Sequence, residues 1–257
     1  MNNLRKFSTF EDYEEAELVK PAVSLIASDD SVFFDQKEAE PEAFGGLTVV
    51  YDIEDASNEV TLFNGGGGGS SESESESGGG GALPSRMIVD GVDEVVINTW
   101  RFDTTGEHTV QYEFEDNTVP AGFLTSNSLI TNVTVGDDIE SIADSDADHD
   151  GAFKSCQNLT SVQIGNGCGS IGDYAFQYCT SLDNVEIGSA CNSIGNYAFQ
   201  GCSTLSVFNI EAVTPPSIGY DILANTANDL VIYVPSGAGS TYESLWTDYA
   251  SKIQENV

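Results

Sequence analysis

The 257-residue sequence predicts a mixed, β-rich chain: a small α+β module, a Gly/Ser linker, then a capped solenoid of parallel strands with short helical turns. Three observations carry this. Apolar positions in the C-terminal half recur every 23 residues, so each copy supplies one short strand to a stack. Glycines interrupted only by Ser-Glu repeats divide the chain at residues 65–81. Apolar residues make up 40% of the chain, which suffices for a core and excludes disorder throughout.

At the start, Ser8 and Glu11 stand in capping-box spacing ahead of Tyr13, Ala16 and Leu18, predicting a short acidic helix over about residues 9–18. Residues 22–27 and 32–34 flank Ser28-Asp29-Asp30-Ser31 as a hairpin, and 47–53 and 60–63 are two further strand-like runs. These form a module over residues 1–64, small enough that its core is marginal, so it is expected to dock on another body or to oligomerise. The linker at 65–82 buries nothing. As a coil it spans roughly 23 Å, more with Glu72, Glu74 and Glu76 repelling one another, and it is expected to let the two sides move independently.

Beyond it, residues 87–92, 95–102 and 108–114, separated by Asp-Gly and Thr-Thr-Gly-Glu turns, predict antiparallel strands that form a cap over 83–122. Repeats fill 123–240. Phe153, Phe176 and Phe199 recur in register, as do Cys156, Cys179 and Cys202, Leu159, Leu182 and Leu205, and Ile164, Ile187 and Ile210. An upstream copy, Leu124 to Ile142, is offset by 29 because six extra residues sit within 144–150. The pattern Leu-x-x-Val-x-Ile at this period falls in the leucine-rich repeat range, and Phe176-x-x-Cys179-x-x-Leu182 fits one helical turn behind each strand. Tyr242, Leu245, Trp246, Tyr249 and Ile253 form one apolar stripe and predict a capping helix within 241–257.

Eight Lys+Arg against 42 Asp+Glu give a net charge of −34, a field that repels nucleic acids and anionic membranes. No apolar run approaches the roughly 18–20 residues of a membrane span, and no apolar stretch follows Arg5 and Lys6, so neither a spanning segment nor a cleaved signal is expected. All five cysteines lie between Cys156 and Cys202, spaced alternately by 12 and 11. That spacing excludes a Cys-x-x-Cys metal knuckle and points to small buried hydrophobes.

The repeats Ile171-Gly172-Asp173-Tyr174-Ala175-Phe176-Gln177-Tyr178-Cys179 and Ile194-Gly195-Asn196-Tyr197-Ala198-Phe199-Gln200-Gly201-Cys202 resemble BspA-type leucine-rich repeats of surface proteins from gut and oral anaerobes and their phages. The ending, Ile232-Tyr233-Val234-Pro235-Ser236-Gly237 with Tyr242, Trp246 and Tyr249, is similar to that family's C-terminal cap. The asparagine ladder of the better-known leucine-rich repeats is missing from the pattern. Asn3-Leu4-Arg5-Lys6-Phe7-Ser8-Thr9, Lys20-Pro21-Ala22-Val23-Ser24 and Ser31-Val32-Phe33-Phe34-Asp35 resemble the opening of virion appendage proteins from phages of Bacteroides-type bacteria. Together these resemblances imply a structural protein on the exterior of a phage virion, without enzymatic activity. Its residues 1–64 would attach to capsid or tail, in many copies or as a homo-oligomer. Its repeats would be displayed for adhesion to a host-surface protein or glycan. A bacterial surface or secreted adhesin, and a capsid decoration protein without a ligand, are the alternatives.

Two sets of site residues follow. Positions alternating with the core project from the predicted sheet, placing Asn132, Thr134, Ser161, Gln163, Asn184, Glu186 and Asn209 on one polar face suited to a glycan or protein. The insertion brings Asp144, Asp146, Asp148 and Asp150 ahead of Gly151, half of a calcium loop, although Gln157 stands where a bidentate glutamate belongs. No other cofactor is expected. The two histidines, His108 and His149, fall in a turn and in the acidic insertion, and no carboxylate pair stands out as catalytic.

Overall fold

The computed structural model describes residues 24–28, 31–35, 44–64, 83–145 and 150–256. The chain divides into two compact units, Met1–Ala43 and Phe44–Val257. In the first, β1 (Ser24–Ser28) and β2 (Ser31–Asp35) pair antiparallel with Ser28 opposite Ser31, the hairpin its two β-rich runs predict. The helix expected over 9–18 lies outside the described residues.

The second unit begins with a cap of six strands: β3 (Leu47–Ile53), β4 (Val60–Thr61), β5 (Arg86–Val89), β6 (Val92–Glu94), β7 (Thr99–Trp100) and β8 (Gly106–Glu113). The anticipated antiparallel pairings are present. Asp90 and Gly91, at φ 49° and 80°, form the two-residue turn that brings Val89 opposite Val92. The run 95–102 is not one strand, however. It bends after β6 so that β7 pairs with β4 while the Asn98 carbonyl accepts the Leu62 N–H.

The domain boundary expected at residue 64 is displaced to 43/44. Strand β3 lies in the middle of the large sheet, antiparallel to β8 on one side and to β10 (Ile130–Val135) on the other. Its alternate residues Leu47, Val49, Tyr51 and Ile53 are buried, and a strand with one apolar face takes whatever core will cover it. The cap thus comprises residues 44–64 together with 83–122. The run 65–82 lies outside the described residues, yet both of its ends are fixed in this unit: Asn64 N–H donates to Phe123 O at 2.7 Å and Ser85 N–H to Glu113 O at 2.8 Å. It joins two segments of one unit and does not tether two units.

From residue 118 the chain coils. Each coil contributes one strand to the large sheet, in β10, β12 (Ser161–Ile164), β14 (Asn184–Ile187), β16 (Val207–Ile210) and β18 (Val231–Val234). Another goes to a second parallel sheet of β9 (Thr118–Val119), β11 (Ser141–Ile142), β13 (Ser170–Ile171), β15 (Ser193–Ile194) and β17 (Ser217–Ile218). Register is kept throughout: Val133, Val162, Val185, Phe208 and Ile232 are successive partners in the buried layer. The phenyl rings of Phe153, Phe176 and Phe199 stack at 5.1 Å with interplanar angles of 5° and 7°.

The short helices expected behind the strands are turns instead. Cys179 N–H reaches Phe176 O within its own turn, but Phe176 N–H donates to Ala198 O of the next coil at 2.8 Å. Two left-handed residues bracket four of these turns and stop a helix from propagating, Gly122 and Ser126, Tyr174 and Tyr178, Tyr197 and Gly201, Asp221 and Asn225, while the turn at 151–155 has Ser155 alone. For a tyrosine that conformation costs roughly 1–2 kcal/mol relative to a right-handed one.

The C-terminus is not one helix either. It comprises α1 (Gly239–Leu245), a 3₁₀ helix (Thr247–Lys252) and β19 (Ile253–Glu255), which adds parallel to β18 at the sheet edge. Tyr242 and Trp246 are buried as expected, with Tyr242 OH on Ala212 O at 2.6 Å and Trp246 Nε1 on Pro216 O at 3.0 Å. Trp246, at φ −102° and ψ 55°, leaves helical geometry to keep its indole bond, so α1 ends there and Leu245 stays exposed.

Candidate binding surface

The sheet order β19-β18-β16-β14-β12-β10-β3-β8-β5-β6 gives one outer face ten strands wide. All seven residues expected on it are there. Asn132, Ser161 and Asn184 are successive partners in one row, continued by Val207 and Val231. Thr134, Gln163, Glu186 and Asn209 form the next row, continued by Tyr233 and Gln254. Strand β3 extends both rows beyond the sequence expectation, setting Val50 opposite Asn132 and Thr48 opposite Thr134. The side chains bond along the surface: Asn132 Nδ2 to Ser161 Oγ at 2.5 Å and Asn256 Nδ2 to Asn209 Oδ1 at 3.2 Å. Thr134, Gln163 and Glu186 are exposed and the other four predicted residues half-buried.

A feature that sequence reasoning missed stabilises the corners. Asp144 Oδ1 accepts the Asp173 N–H at 2.9 Å, Asp173 Oδ1 the Asn196 N–H at 2.5 Å, and Asn196 Oδ1 the Tyr220 N–H at 2.9 Å. A parallel chain runs from Asp137 to the Asn166 N–H at 2.6 Å and from Asn166 Oδ1 to the Ser189 N–H at 3.0 Å. The polar ladder missing from the expected place thus exists elsewhere, built from Asp and Asn. Its signal was the repeat itself: Asp173 and Asn196 are 23 apart, and Asp144 and Asp173 are 29 apart, like the core residues.

This ladder bears on the calcium loop. Asp144 is committed to it, Asp150 pairs with Lys154 at 2.6 Å, and Asp146 and Asp148 lie outside the described residues. Among the described residues no three His, Cys, Asp or Glu side chains are placed to share a metal ion.

The cysteines form a buried column. Cys156, Cys179 and Cys202 donate S–H to Leu124 O at 3.1 Å, Phe153 O at 3.1 Å and Phe176 O at 3.2 Å, each one coil back. Burial pushes Cys168 up to about 11 and Cys191 and Cys202 up to about 12, so none of these three is a ready thiolate near neutral pH. His108 is enclosed, with Nδ1 2.7 Å from the Asp90 carboxylate and Nε2 2.9 Å from Thr104 O, and its ring stacks on Phe102. Burial works against its charge, but the bonds to Asp90 and Thr104 and the Asp90 carboxylate outweigh it and raise the pKa. Both nitrogens face acceptors, which suits a structural imidazolium.

Parallel coils of about 23 residues, two strands per coil, closed at both ends and presenting one broad polar face, define a leucine-rich repeat protein. Residues 117–248 match the family described as the BspA type leucine rich repeat region, in six copies, and the chain belongs to that family. Among solved structures it is similar to a leucine-rich repeat protein from Bacteroides ovatus ATCC 8483, with 21% identity and a TM-score of 0.32 over 52% of this chain and 44% of that one. The matched part therefore spans less than half of that protein's length. No curated protein matches the chain.

Proposed function

We propose that this chain is a non-enzymatic adhesion protein whose ten-stranded face engages a host-surface protein or glycan. The carrying observation is how little charge the two central rows of that face hold, the outward charges Asp52, Arg86, Asp93, Glu107 and Glu113 lying on the cap strands. The twelve central outward positions are Thr48, Val50, Asn132, Thr134, Ser161, Gln163, Asn184, Glu186, Val207, Asn209, Val231 and Tyr233. Glu186 is the one charged residue among them, on a chain with 42 acidic residues. Depletion of charge at the centre of a patch, with amides, hydroxyls and an aromatic left, is what recognition surfaces show, because such groups are cheap to desolvate and still form hydrogen bonds. The full chain immobilised in many copies is expected to bind host cells or a glycan array, and Gln163→Arg with Asn209→Arg to reduce binding at least tenfold. An unchanged signal with the double variant would remove the face from the proposal.

The finer reading rests on the N-terminal resemblance. In it, the opening unit attaches the protein to the capsid or tail of a bacteriophage of gut bacteria, many copies stand on the particle exterior, and avidity compensates for weak single sites. Its docking segment is now shortened from residues 1–64 to 1–43. Mass spectrometry of purified particles tests this, and absence of the protein from virions discards it. The family itself favours the alternative of a bacterial surface adhesin. A decoration protein without a ligand is the outcome if nothing binds at particle-like valency. Weak calcium binding at the loop 144–150 is likewise a proposal, discarded if millimolar calcium and chelator give the same melting temperature.

A further inference from the structure

The turns that follow β13, β15 and β17 carry a second surface, separate from the sheet face. Tyr174, Tyr197 and Tyr220 fall one per coil at the 23-residue period. The Tyr174 and Tyr197 rings stack at 5.2 Å and 26°, and Lys154 Nζ lies 5.7 Å from the Tyr174 ring centre. Tyr178 leans over the backbone of the next coil at Gly201, where a Cβ would strike its ring. Tyr178 is 46% exposed and Tyr220 77%. Among the described residues nothing hydrogen-bonds the hydroxyls of these four tyrosines.

Folding does not call for tyrosine here. Tyr174, Tyr178 and Tyr197 hold φ of 59°, 61° and 57°, the left-handed region, whereas other turns place Gly122, Ser126, Ser155, Gly201, Asp221 or Asn225 at left-handed positions. Glycine and asparagine adopt that conformation readily and an aromatic residue does not. The core beneath is already filled by Phe176, Cys179, Phe199 and Cys202, all fully buried. A disfavoured backbone retained at Tyr178, which is exposed, and at Tyr174 and Tyr197, which are half-buried, beside the exposed Tyr220, points to a ligand.

We propose that these tyrosines form a second binding site, for a neutral polysaccharide chain. The exposed ring surfaces of Tyr178 and Tyr220, with the half-buried Tyr174–Tyr197 stack offering its edges and hydroxyls, complement the C–H faces and hydroxyl edges of sugar rings, and tyrosine offers that area with little side-chain entropy to lose. Repetition along three coils suits an extended polymer over a compact ligand. The net charge of −34, with Asp150, Asp173 and Asp221 beside these turns, disfavours sulfated or uronic-acid chains. Lys154, which borders the platform, is paired with Asp150 at 2.6 Å and already covers Tyr174, so an added cation is disfavoured at that ring.

The test is native electrophoresis of the full chain in gels containing a neutral glucan, mannan or galactan, with a sulfated dextran as contrast. Retardation by at least one neutral polymer, and none by the sulfated one, is expected. Combining Tyr174→Asn, Tyr178→Asn and Tyr197→Asn should weaken it by about tenfold or more. Because asparagine accepts the left-handed turn, the melting temperature should hold or rise. No retardation in any neutral gel, equal retardation of the variant, or a marked drop in its melting temperature overturns the proposal. Tyr220→Ala, outside the left-handed positions, must also weaken retardation. A melting rise with choline and none with sugar polymers would assign the rings to a cation and overturn it too. The sheet-face variants leave this site intact, so the two readings fail separately.

Discussion

Removing residues 1–82 leaves the repeats intact on paper, yet it should destroy the unit. The segment 44–64 buries Leu47, Val49, Tyr51, Ile53, Val60, Leu62 and Phe63, each at most 8% exposed. At about 1.5–3 kcal/mol per large apolar side chain, their burial contributes about 10–20 kcal/mol, an upper figure because an unfolded chain already hides part of its surface. Even half of that rivals the roughly 5–15 kcal/mol by which a whole domain is stable. Loss of β3 also uncovers the edges of β8 and β10, and strips Tyr112 OH of the Leu62 carbonyl it meets at 2.8 Å. Comparing segments 44–257 and 83–257 by circular dichroism and gel filtration should give a cooperative, soluble protein only for the longer one. Cleaving the full chain after Glu72, Glu74 or Glu76 with a glutamyl protease should yield fragments that co-elute and separate only in denaturant. A segment 83–257 that melts cooperatively within a few degrees of the longer one, or nicked fragments that part in buffer, would refute the assignment of β3.

Three further outcomes follow from the interior. All five thiols are buried, so none should react with a disulfide reagent at pH 8 until denaturant is added, when all five should. Asn196→Ala removes the acceptor of the Tyr220 N–H and the amide that donates to Asp173, at a cost of about 1–3 kcal/mol read as a lower unfolding midpoint in urea. His108 has a raised folded pKa, so its contribution is complete below its ordinary value of 6.5 and fades as pH rises through the folded one. Melting temperature should therefore fall across that window, with a flatter profile for His108→Gln.

The repeat was readable because its information is local and periodic: Phe153, Phe176 and Phe199 announce one another, and the same spacing gives register, inward faces and the seven face residues without knowledge of the fold. The cap was only half readable. The strand at Leu47–Ile53 is plain in its alternation, but its partners lie about 60 and 80 residues away, across a glycine run whose composition suggests separation. Turn conformation was hidden for another reason. Phe176-x-x-Cys179-x-x-Leu182 reads as one helical turn, and only coordinates show that Tyr174 and Tyr178 beside it have a left-handed backbone. The Asp and Asn corner ladder shared the period, but apolar spacing drew attention to the core and away from the polar column beside it.

Strand β10 is where two kinds of sheet meet, antiparallel to β3 and parallel to β12. Everything on its cap side fixes one end, while beyond it lies a stack of like parts, each carrying its own face residues, closed by the C-terminal helices and β19. Duplication or loss of one 23-residue coil would leave both terminators untouched and would widen or narrow the exposed array by a single strand spacing of about 4.8 Å. The molecule is therefore built so that the width of this face changes in discrete steps, with no need to redesign either terminus.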